Sequence, residues 1–305
     1  MPLPFEPTHY RELLRAFLKE DLGGGDITTD SIIPSEQRAH GELIAKAPLV
    51  LAGIGLFVEV FRLMDKSAEA DILRQDGEEL APGEIPARLR AQARSLLTGE
   101  RVALNLLQRL SGVATLTRRF VRAVAGTSAQ ILDTRKTTPG LRELEKYAVR
   151  VGGGQNHRQD LSEAVLIKEN HIRLAGGVTA ALAAVETLRE RRPAPAAKAR
   201  PSWIEIEVTN LEELREALAH APDVILLDNM SPPLVRVAVT EVRSAEDAQS
   251  KRRRDPAHKI LVEASGGITA TSVREFAEAG ADWISVGALT HSAESVDLSF
   301  EIEPV

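Results

Sequence analysis

The alternation of short apolar runs with longer helical patterns in the second half of the chain constrains the fold more than any other feature. The apolar runs cover residues 129–132, 164–167, 203–208, 223–227, 259–263 and 282–286. Helical spacing of apolar residues appears at 141–149, 178–191, 211–219, 232–242 and 272–279. Asn210 and Ser231 stand where N-caps belong, and Pro232 suits a first helical position. Strands that alternate with helices pair in parallel, so this half predicts an α/β barrel, and six readable strands indicate an incomplete one.

The first half of the chain has a different pattern, which is typical of a small α/β lobe. A short amphipathic helix at 8–20 precedes mixed strand, helix and turn signals. A long helix is predicted from Thr98, whose side chain is that of an N-cap. We expect a first domain at residues 1–115, joined by the C-terminal tail 290–305, and a barrel domain at 116–289.

The composition excludes several classes of protein. The 305 residues include no cysteine, which rules out disulfides, thiolate metal sites and a cysteine nucleophile. A net charge of −6 argues against general nucleic-acid binding, and no apolar run is long enough to span a membrane. We therefore expect a cytoplasmic protein with no nucleic-acid or membrane partner.

Two stretches interrupt the barrel pattern. Residues 189–201 are rich in Arg, Ala and Pro, and residues 244–258 contain the basic run 251–254. Both are interpreted as surface loops or helix extensions. The basic run could alternatively bind RNA or an acidic partner, although the acidic character of the rest of the chain argues against it.

Cationic side chains gather at the predicted carboxyl ends of the strands, where barrels of this kind place their active sites. The members of this set are Arg135, Lys136, His157, Arg158 and Lys168. Arginine binds carboxylates with two parallel hydrogen bonds and lysine adds a point charge, so the set fits a small molecule with two carboxylates. Salt bridges to carboxylates of the barrel itself are the alternative.

Two acidic residues, Glu207 and Asp228, end neighbouring predicted strands. Such carboxylates can bind ribose hydroxyls, hold Mg²⁺ through oxygen ligands or stabilise positive charge on a sugar carbon. Glu205 shares the strand face of Glu207, so the pattern does not decide between them. A glycosidase with paired carboxylates is also compatible with this pair, but the many anion-binding groups argue against it.

Glycines near the last two predicted strands indicate a phosphate site. The sequence Ser265-Gly266-Gly267 precedes a helix, and Gly287-Ala288 follows the last strand. Backbone N–H groups of such glycines bind phosphate well, and barrels often bind phosphate at these loops.

Seven motifs of the chain closely resemble those of the quinolinate phosphoribosyltransferases in order and spacing. They occupy residues 133–140, 145–149, 152–158, 166–171, 227–229, 263–267 and 285–292. The resemblance extends to residues 20–29 and 97–102 in the first half, so it covers nearly the whole chain. It implies a small open α/β sandwich packed with a seven-stranded α/β barrel, and the conversion of quinolinate and phosphoribosyl pyrophosphate to nicotinate mononucleotide, pyrophosphate and CO₂ in the de novo synthesis of NAD.

The resemblance also implies roles for individual residues. The quinolinate pocket would comprise Arg101, Thr134, Arg135, Lys136, His157, Arg158 and Lys168. Phosphoribosyl pyrophosphate would contact Glu207, Asp228, Ser265, Gly266, Gly267, Val286, Gly287, Ala288 and His291. Glu207, Asp228 and Lys136 would be catalytic, and Mg²⁺ would accompany the pyrophosphate near the two carboxylates.

A homodimer is the implied assembly, or a larger oligomer built from it, with Arg101 reaching the site of the neighbouring subunit. The sequence alone places Arg101 in the first turn of the helix predicted from Thr98, where its charge opposes the helix dipole.

Three alternatives remain at this point. A related phosphoribosyltransferase could act on another heteroaromatic acid or serve molybdate transport. A non-catalytic scaffold would be expected to have lost some of the carboxylates or glycines, which are all present. A phosphate-binding aldolase would need a Schiff-base lysine in an apolar pocket, and the cationic surroundings of its one candidate, Lys168, argue against that.

Overall fold

The computed structural model describes residues 6–190, 202–253 and 259–305, which form two compact units. Unit 1 takes the described residues up to Arg118 together with Gly140–Gly153 and Leu289–Val305, and unit 2 takes Arg119–Pro139 and Gly154–Ala288. The predicted domains, 1–115 with 290–305 and 116–289, differ from this division chiefly at residues 140–153. That segment joins unit 1 because its buried side chains contact other residues of unit 1.

Unit 1 is built around an antiparallel sheet with helices. Its elements are α1 (Arg11–Leu22), α2 (Ile27–Ile32), β1 (Arg38–Ala45), β2 (Leu49–Val50), α3 (Ile54–Met64), β3 (Glu69–Ile72), β4 (Glu79–Leu80), β5 (Ala87–Gln92), α4 (Ala93–Ala123), α5 (Arg142–Val151) and, at the end of the chain, β12 (Leu298–Pro304), and a 3₁₀ turn at Pro7–Tyr10 precedes α1. The four-stranded sheet has the order β12-β1-β5-β3, and β2 pairs with β4.

One face of that sheet is buried. Residues of β5 alternate strictly between buried and exposed, as expected for a strand with one solvated face. The core behind it contains Phe57 and Phe61 of α3 and Phe300 of β12, whose ring centroids lie 5.2–5.4 Å apart. Gly41 of β1 leaves room for the ring of Phe300, since a Cβ there would lie 2.1 Å from a ring carbon.

The predicted start of the long helix at Thr98 is wrong. Helix α4 begins at Ala93, directly after β5, because residues 93–97 contain no helix breaker. The hydroxyl of Thr98 instead donates to the carboxylate of Asp26 at 3.0 Å. Arg101 therefore lies in the third turn of α4, so the argument from the helix dipole does not apply to it.

Unit 2 is a parallel sheet with helices between its strands. Its elements are β6 (Gln130–Leu132), β7 (Val165–Ile167), α6 (Glu169–Ala175), α7 (Val178–Glu190), β8 (Ile204–Val208), α8 (Leu211–Leu218), β9 (Val224–Asp228), α9 (Pro232–Arg253), β10 (Leu261–Ser265), α10 (Val273–Glu278), β11 (Trp283–Ser285) and α11 (Ala288–His291), the last of which runs into unit 1. The six strands have the order β6-β11-β10-β9-β8-β7, and each overlaps one of the six predicted runs.

A seventh parallel position lies beside β6, where Gln155 forms an isolated bridge with Leu132. The N–H of Gln155 donates to Ile131, and the carbonyl of Gln155 accepts from Asp133. The predicted fold, a small α/β lobe with an incomplete α/β barrel, is confirmed.

Two helices of unit 2 begin where the sequence predicts. Asn210 accepts the N–H groups of Glu212 and Glu213 and so caps α8, and Pro232 is the first residue of α9. Helix α9 continues past its predicted end at 242, so residues 244–253 of the charged stretch extend a helix. Residues 191–201 and 254–258 lie outside the described part of the chain. Within the part that is described, no helix is both long and apolar enough to cross a membrane.

Candidate active site

An ion pair joins the carboxyl ends of two adjacent strands in unit 2. Lys168 follows β7 and is the N-cap residue of α6, and Glu207 is the fourth residue of β8. The ammonium of Lys168 lies 2.9 Å from Oε2 of Glu207. The side chain of Lys168 is 48% exposed and that of Glu207 is 12% exposed, so the pair lies at the solvent boundary of the strand ends.

A second carboxylate, Asp228, ends β9, the next strand of the sheet. Burial raises the pKa of Asp228, and the neighbouring charge of Glu207 raises it further. Three groups oppose this by stabilising the carboxylate: the amide of Asn229, which donates to it at 2.8 Å, and the charges of Lys168 and Lys136. The two carboxylates and two lysines are therefore close enough to interact electrostatically.

This arrangement suits a divalent cation with a preference for oxygen. The charge of Glu207 raises the pKa of Asp228, and a cation bound by both carboxylates would offset that repulsion. Carboxylate oxygens are the ligands that Mg²⁺ prefers in proteins. The donor set is therefore chemically appropriate for the expected metal.

The two arginines of the cationic set belong to the same neighbourhood. Arg158 is 5% exposed, and its guanidinium donates to the carbonyl of Ala164 at 3.0 Å. Burial lowers the pKa of Arg158, and so does the nearby charge of Arg135. The Nε atom of Arg135 is buried and finds no hydrogen-bond partner among the described residues. Two like charges and an unsatisfied donor together favour the binding of an anion.

A buried carboxylate, Asp133, fixes the segment that carries Arg158. Asp133 follows β6 and is completely buried. It accepts the backbone N–H of His157 at 2.8 Å and the amide of Asn156 at 2.5 Å. The backbone N–H of Lys136 donates to the hydroxyl of Thr134 at 3.0 Å, and this bond orders the loop after β6.

The ring of His157 lies inside the barrel. Its Nε2 is 3.0 Å from Glu205 and 3.4 Å from Glu263, and both carboxylates are essentially inaccessible to solvent. The indoles of Trp203 and Trp283 contact the ring edge-on. Glu205 and Glu207, which the sequence pattern does not separate, occupy different places: Glu205 lies in the interior beside His157, and Glu207 faces Lys168 at the strand ends.

Two influences act on the protons of this cluster. Burial alone would lower the pKa of His157, but the two carboxylates outweigh it and raise the pKa to about 10. However, Nδ1 accepts the backbone N–H of Arg158 at 2.8 Å, which requires that nitrogen to be without a proton. This hydrogen bond decides the protonation state, because an imidazolium would turn a donor towards the Arg158 N–H. The proton of His157 then lies on Nε2, and a further proton belongs to Glu263, whose pKa is raised by burial and by Glu205.

His157, Glu205 and Glu263 also have the residue types of a metal site, with ligand atoms within 4.8 Å of one another. Imidazole with two carboxylates suits a transition metal more than Mg²⁺. The expected Mg²⁺ therefore fits Glu207 and Asp228 better than this interior cluster.

The glycine loop after β10 has a backbone conformation that glycine adopts more readily than other residues. Gly266 and Gly267 have φ values of +100° and +62°, and Asn229 has a φ of +54° although it is not glycine. A Cβ on Gly266 would lie 2.2 Å from the side-chain oxygen of Asn229. The N–H of Asn229 donates to the carbonyl of Ser265 at 2.9 Å, so the ends of β9 and β10 are held together.

The second glycine loop follows β11. The N–H of Val286 donates to Leu132 at 2.9 Å, and α11 begins two residues later at Ala288, after Gly287. Predicted phosphate contacts at Ser265–Gly267 and Val286–Ala288 thus occupy the ends of neighbouring strands β10 and β11.

Two predicted site residues, Arg101 and His291, belong to unit 1. Arg101 has a side chain 59% exposed, 3.7 Å from Glu100, and lines a surface cleft of about 290 Å³ that includes Asp21 and Asp26. His291 ends α11, and its Nδ1 lies 2.6 Å from the hydroxyl of Ser292.

Several residues of the site were not identified from the sequence. Asp133 and Asn229 lie within recognised motifs, but nothing in the pattern distinguishes a carboxylate that organises a loop from one that contacts substrate. Glu263 lies two residues before the end of β10 and Glu205 three residues before the end of β8, and the period of two along a strand does not show that both lie in the interior.

Comparison with known proteins gives matches over nearly the whole chain. The family model for the quinolinate phosphoribosyl transferase N-terminal domain matches residues 26–111, and that for the C-terminal domain matches residues 113–301. A probable nicotinate-nucleotide pyrophosphorylase (carboxylating) of Bacillus subtilis is 42% identical over 292 residues, which are 96% of this chain and 93% of that protein. The nicotinate-nucleotide pyrophosphorylase (carboxylating) of Mycobacterium leprae is 40% identical over 298 residues, 96% of each chain.

Solved structures agree with these sequences. The crystal structure of NadC from Streptococcus pyogenes superposes with a TM-score of 0.87 at 37% identity, covering 99% of both chains. The nicotinate-nucleotide pyrophosphorylase from Francisella tularensis gives a TM-score of 0.85 at 36% identity, covering 98% of both chains.

Proposed function

We propose, since this chain belongs to the quinolinate phosphoribosyltransferase family, that it converts quinolinate and phosphoribosyl pyrophosphate to nicotinate mononucleotide, pyrophosphate and CO₂ for the synthesis of NAD. The observation that carries the assignment to this site is the contact between Lys168 and Glu207. It brings a cation suited to a carboxylate substrate next to a carboxylate suited to a sugar.

Quinolinate would be bound by the cationic set. Arg135, with its unsatisfied Nε, and Arg158, with its buried guanidinium, are the groups best placed to bind the two carboxylates, with Lys168 and Thr134 completing the pocket. A dianion would relieve the charge repulsion between the two arginines. The charges that repel each other in the absence of substrate therefore favour the binding of quinolinate. The role of these side chains is to orient the ring nitrogen towards the sugar.

The sugar would be bound by the acidic pair. The ring nitrogen attacks the anomeric carbon as the bond to pyrophosphate breaks, and positive charge develops on the sugar. Glu207 and Asp228 stabilise that charge, and Lys136 stabilises the negative charge on the departing pyrophosphate. No general base is needed, because the attacking nitrogen carries no proton. The phosphates would occupy the glycine loops at Ser265–Gly267.

Loss of CO₂ follows from the product of the first step. The ring nitrogen is now positively charged, and this charge stabilises the electron pair that stays on the adjacent ring carbon when the bond to the carboxyl group breaks and CO₂ leaves. The ring carbon then takes up a proton. The protein's contribution is to hold that carboxylate in position, and we assign this to Arg158 and Lys168.

Mg²⁺ is the proposed cofactor, and Glu207 and Asp228 are the residues that would hold it. When bound it neutralises part of the charge of the phosphates. The acidic pair fits such an ion because the charge of Glu207 raises the pKa of Asp228, and a cation would offset that repulsion.

The test is an assay of the purified protein with quinolinate, phosphoribosyl pyrophosphate and Mg²⁺, in which nicotinate mononucleotide and CO₂ are followed together. Equal amounts of both products from quinolinate, and none from nicotinate, are expected. A folded protein that releases neither product would contradict the proposal. Turnover of nicotinate but not of quinolinate would mean that the substrate is a different pyridine acid. Arg215→Ala is a suitable control, because Arg215 pairs with Glu241 between α8 and α9.

A homodimer in which Arg101 serves the partner's site is part of the proposal. The exposed guanidinium of Arg101 supports it. Arg101→Ala and Lys168→Ala proteins should each be inactive, whereas mixed subunits should regain about a quarter of wild-type activity, because half the dimers are mixed and each has one intact site. If the mixture of the two variants is shown to exchange subunits and is still as inactive as each variant alone, Arg101 acts in its own subunit's site or in no site.

A further inference from the structure

The environment of His157 differs from that of a substrate-binding cation. The side chain is 6% exposed, and both nitrogens of the ring face protein atoms. Nδ1 accepts the backbone N–H of Arg158, and Nε2 faces Glu205 and Glu263. Indole rings lie against two further parts of its perimeter. Little of the imidazole remains for a ligand.

His157 also lies in the middle of a chain of hydrogen bonds. Asp133, at the end of β6, accepts the N–H of His157 at 2.8 Å. His157 accepts the N–H of Arg158 at 2.8 Å, and the guanidinium of Arg158 donates to Ala164 at 3.0 Å. Each link restrains the next residue, and the last one restrains the guanidinium that the proposed function assigns to quinolinate.

From this arrangement we infer that His157 is a positioning residue, which with Asp133 fixes the main chain at Arg158 and so aims its guanidinium, rather than a residue that contacts quinolinate. The inference rests on the proposed function and changes the predicted role of one member of the quinolinate pocket. A buried arginine gains most from such support, because its long side chain would otherwise have to be ordered when the substrate binds.

The inference separates the two nitrogens of the ring, and substitutions can do the same. Asparagine places an amide oxygen near the position of Nδ1, and can accept the N–H of Arg158. Glutamine reaches the position of Nε2, and alanine reaches neither. His157→Asn and His157→Ala both remove the partner of Glu205 and Glu263, so they share that loss of stability and differ in the acceptor for Arg158.

The experiment is calorimetric titration of His157→Asn, His157→Gln and His157→Ala with quinolinate, with the Tm of each protein measured beside it. We expect quinolinate to bind His157→Asn within about threefold of wild type, and His157→Ala and His157→Gln at least about tenfold more weakly, since misplacing a binding group is costly. Arg158→Ala provides the reference for a lost substrate contact, and Arg215→Ala the neutral control.

Three results would overturn the inference. Equal weakening in His157→Asn and His157→Ala, at similar Tm, would mean that the ring itself contacts quinolinate. Preserved binding in His157→Gln but not in His157→Asn would assign the role to Nε2 and the carboxylates. If the asparagine variant does not fold, Asp133→Ala takes its place, and unchanged quinolinate binding there would reject the role of the hydrogen-bonded chain.

The same titration keeps the inference distinct from the proposed function. Wild-type protein that does not bind quinolinate would refute the proposed substrate. Wild-type protein that binds it, with variants that depart from the expected order, would refute the role of His157 alone.

Discussion

The ammonium of Lys168 lies 2.9 Å from the carboxylate of Glu207, so a member of the cationic set is paired with a member of the acidic set. Lys168 is nearly half exposed, and ion pairs of that kind contribute about 1 kcal/mol or less. The pair can therefore exchange partners at little cost. An anionic substrate would take over Lys168, and Glu207 would become available to the sugar.

Lys168→Ala should weaken quinolinate binding at least about tenfold, because a charge-assisted contact to a carboxylate is lost. Titration calorimetry measures the effect, and the melting temperature should change little because the side chain is largely at the surface. Unaltered quinolinate affinity would mean that Lys168 serves only Glu207.

Glu207→Gln should lower kcat by roughly 100-fold and raise KM much less, because the carboxylate acts on charge that develops in the transition state. Steady-state kinetics with each substrate varied in turn give both quantities. Glu241→Gln, which changes a surface partner of Arg215, is the control. A raised KM with kcat preserved would make Glu207 a binding residue instead.

Gly266→Ala should impair binding of phosphoribosyl pyrophosphate. Gly266 has a φ of +100°, and an added Cβ would meet the side-chain oxygen of Asn229 at 2.2 Å, so the loop must shift. Gly280 is the matched control, since its φ is also +100° but the nearest atom to an added Cβ is a methyl group of Val239 at 3.1 Å.

Both alanine substitutions at these glycines should destabilise the protein by about 1–2 kcal/mol through the backbone. Only Gly266→Ala should also raise KM for phosphoribosyl pyrophosphate, by about tenfold if the loop binds phosphate. Equal KM values for phosphoribosyl pyrophosphate in the two variants would mean that this loop does not bind a phosphate.

The sequence predicts the barrel well because its strands are buried on both faces and are separated by helices with their own caps. Asn210 and Pro232 mark helix starts through purely local physics, and local physics is readable in a sequence. Thr98 shows the limit of the same reasoning: its hydroxyl found a partner in Asp26, distant along the chain, and the helix began five residues earlier.

The candidate site is predictable in content more than in roles. Residue types at strand ends identify an anion pocket and a carboxylate pair, but depth in the barrel is not visible in a strand's period of two. Glu205 and Glu207 share a face, and only the packing of β8 places one beside His157 and the other beside Lys168. The role of each predicted site residue remains a prediction that the variants above test.

A buried pair in unit 1 provides a prediction about pH. Tyr147 donates to Asp76 at 2.5 Å, and Asp76 also accepts the N–H groups of Gly53 and Ile54 at the start of α3. Burial raises the pKa of Asp76 above its usual range, and these hydrogen bonds oppose the rise. The folded protein therefore loses stability from this group as pH increases through the ordinary aspartate value to the raised one, and Tyr147 limits that loss.

Tyr147→Phe should reduce the free energy of unfolding by about 1.5–3 kcal/mol at neutral pH, the usual range for a hydrogen bond to a charged group. The difference from wild type should shrink as pH falls through the raised pKa of Asp76, where the carboxyl group becomes protonated and the bond weakens. Urea unfolding at several pH values measures it. In an Asp76→Asn background the same substitution should lose its pH dependence, whereas a loss that is constant with pH in both backgrounds would show that Tyr147 contributes through packing alone.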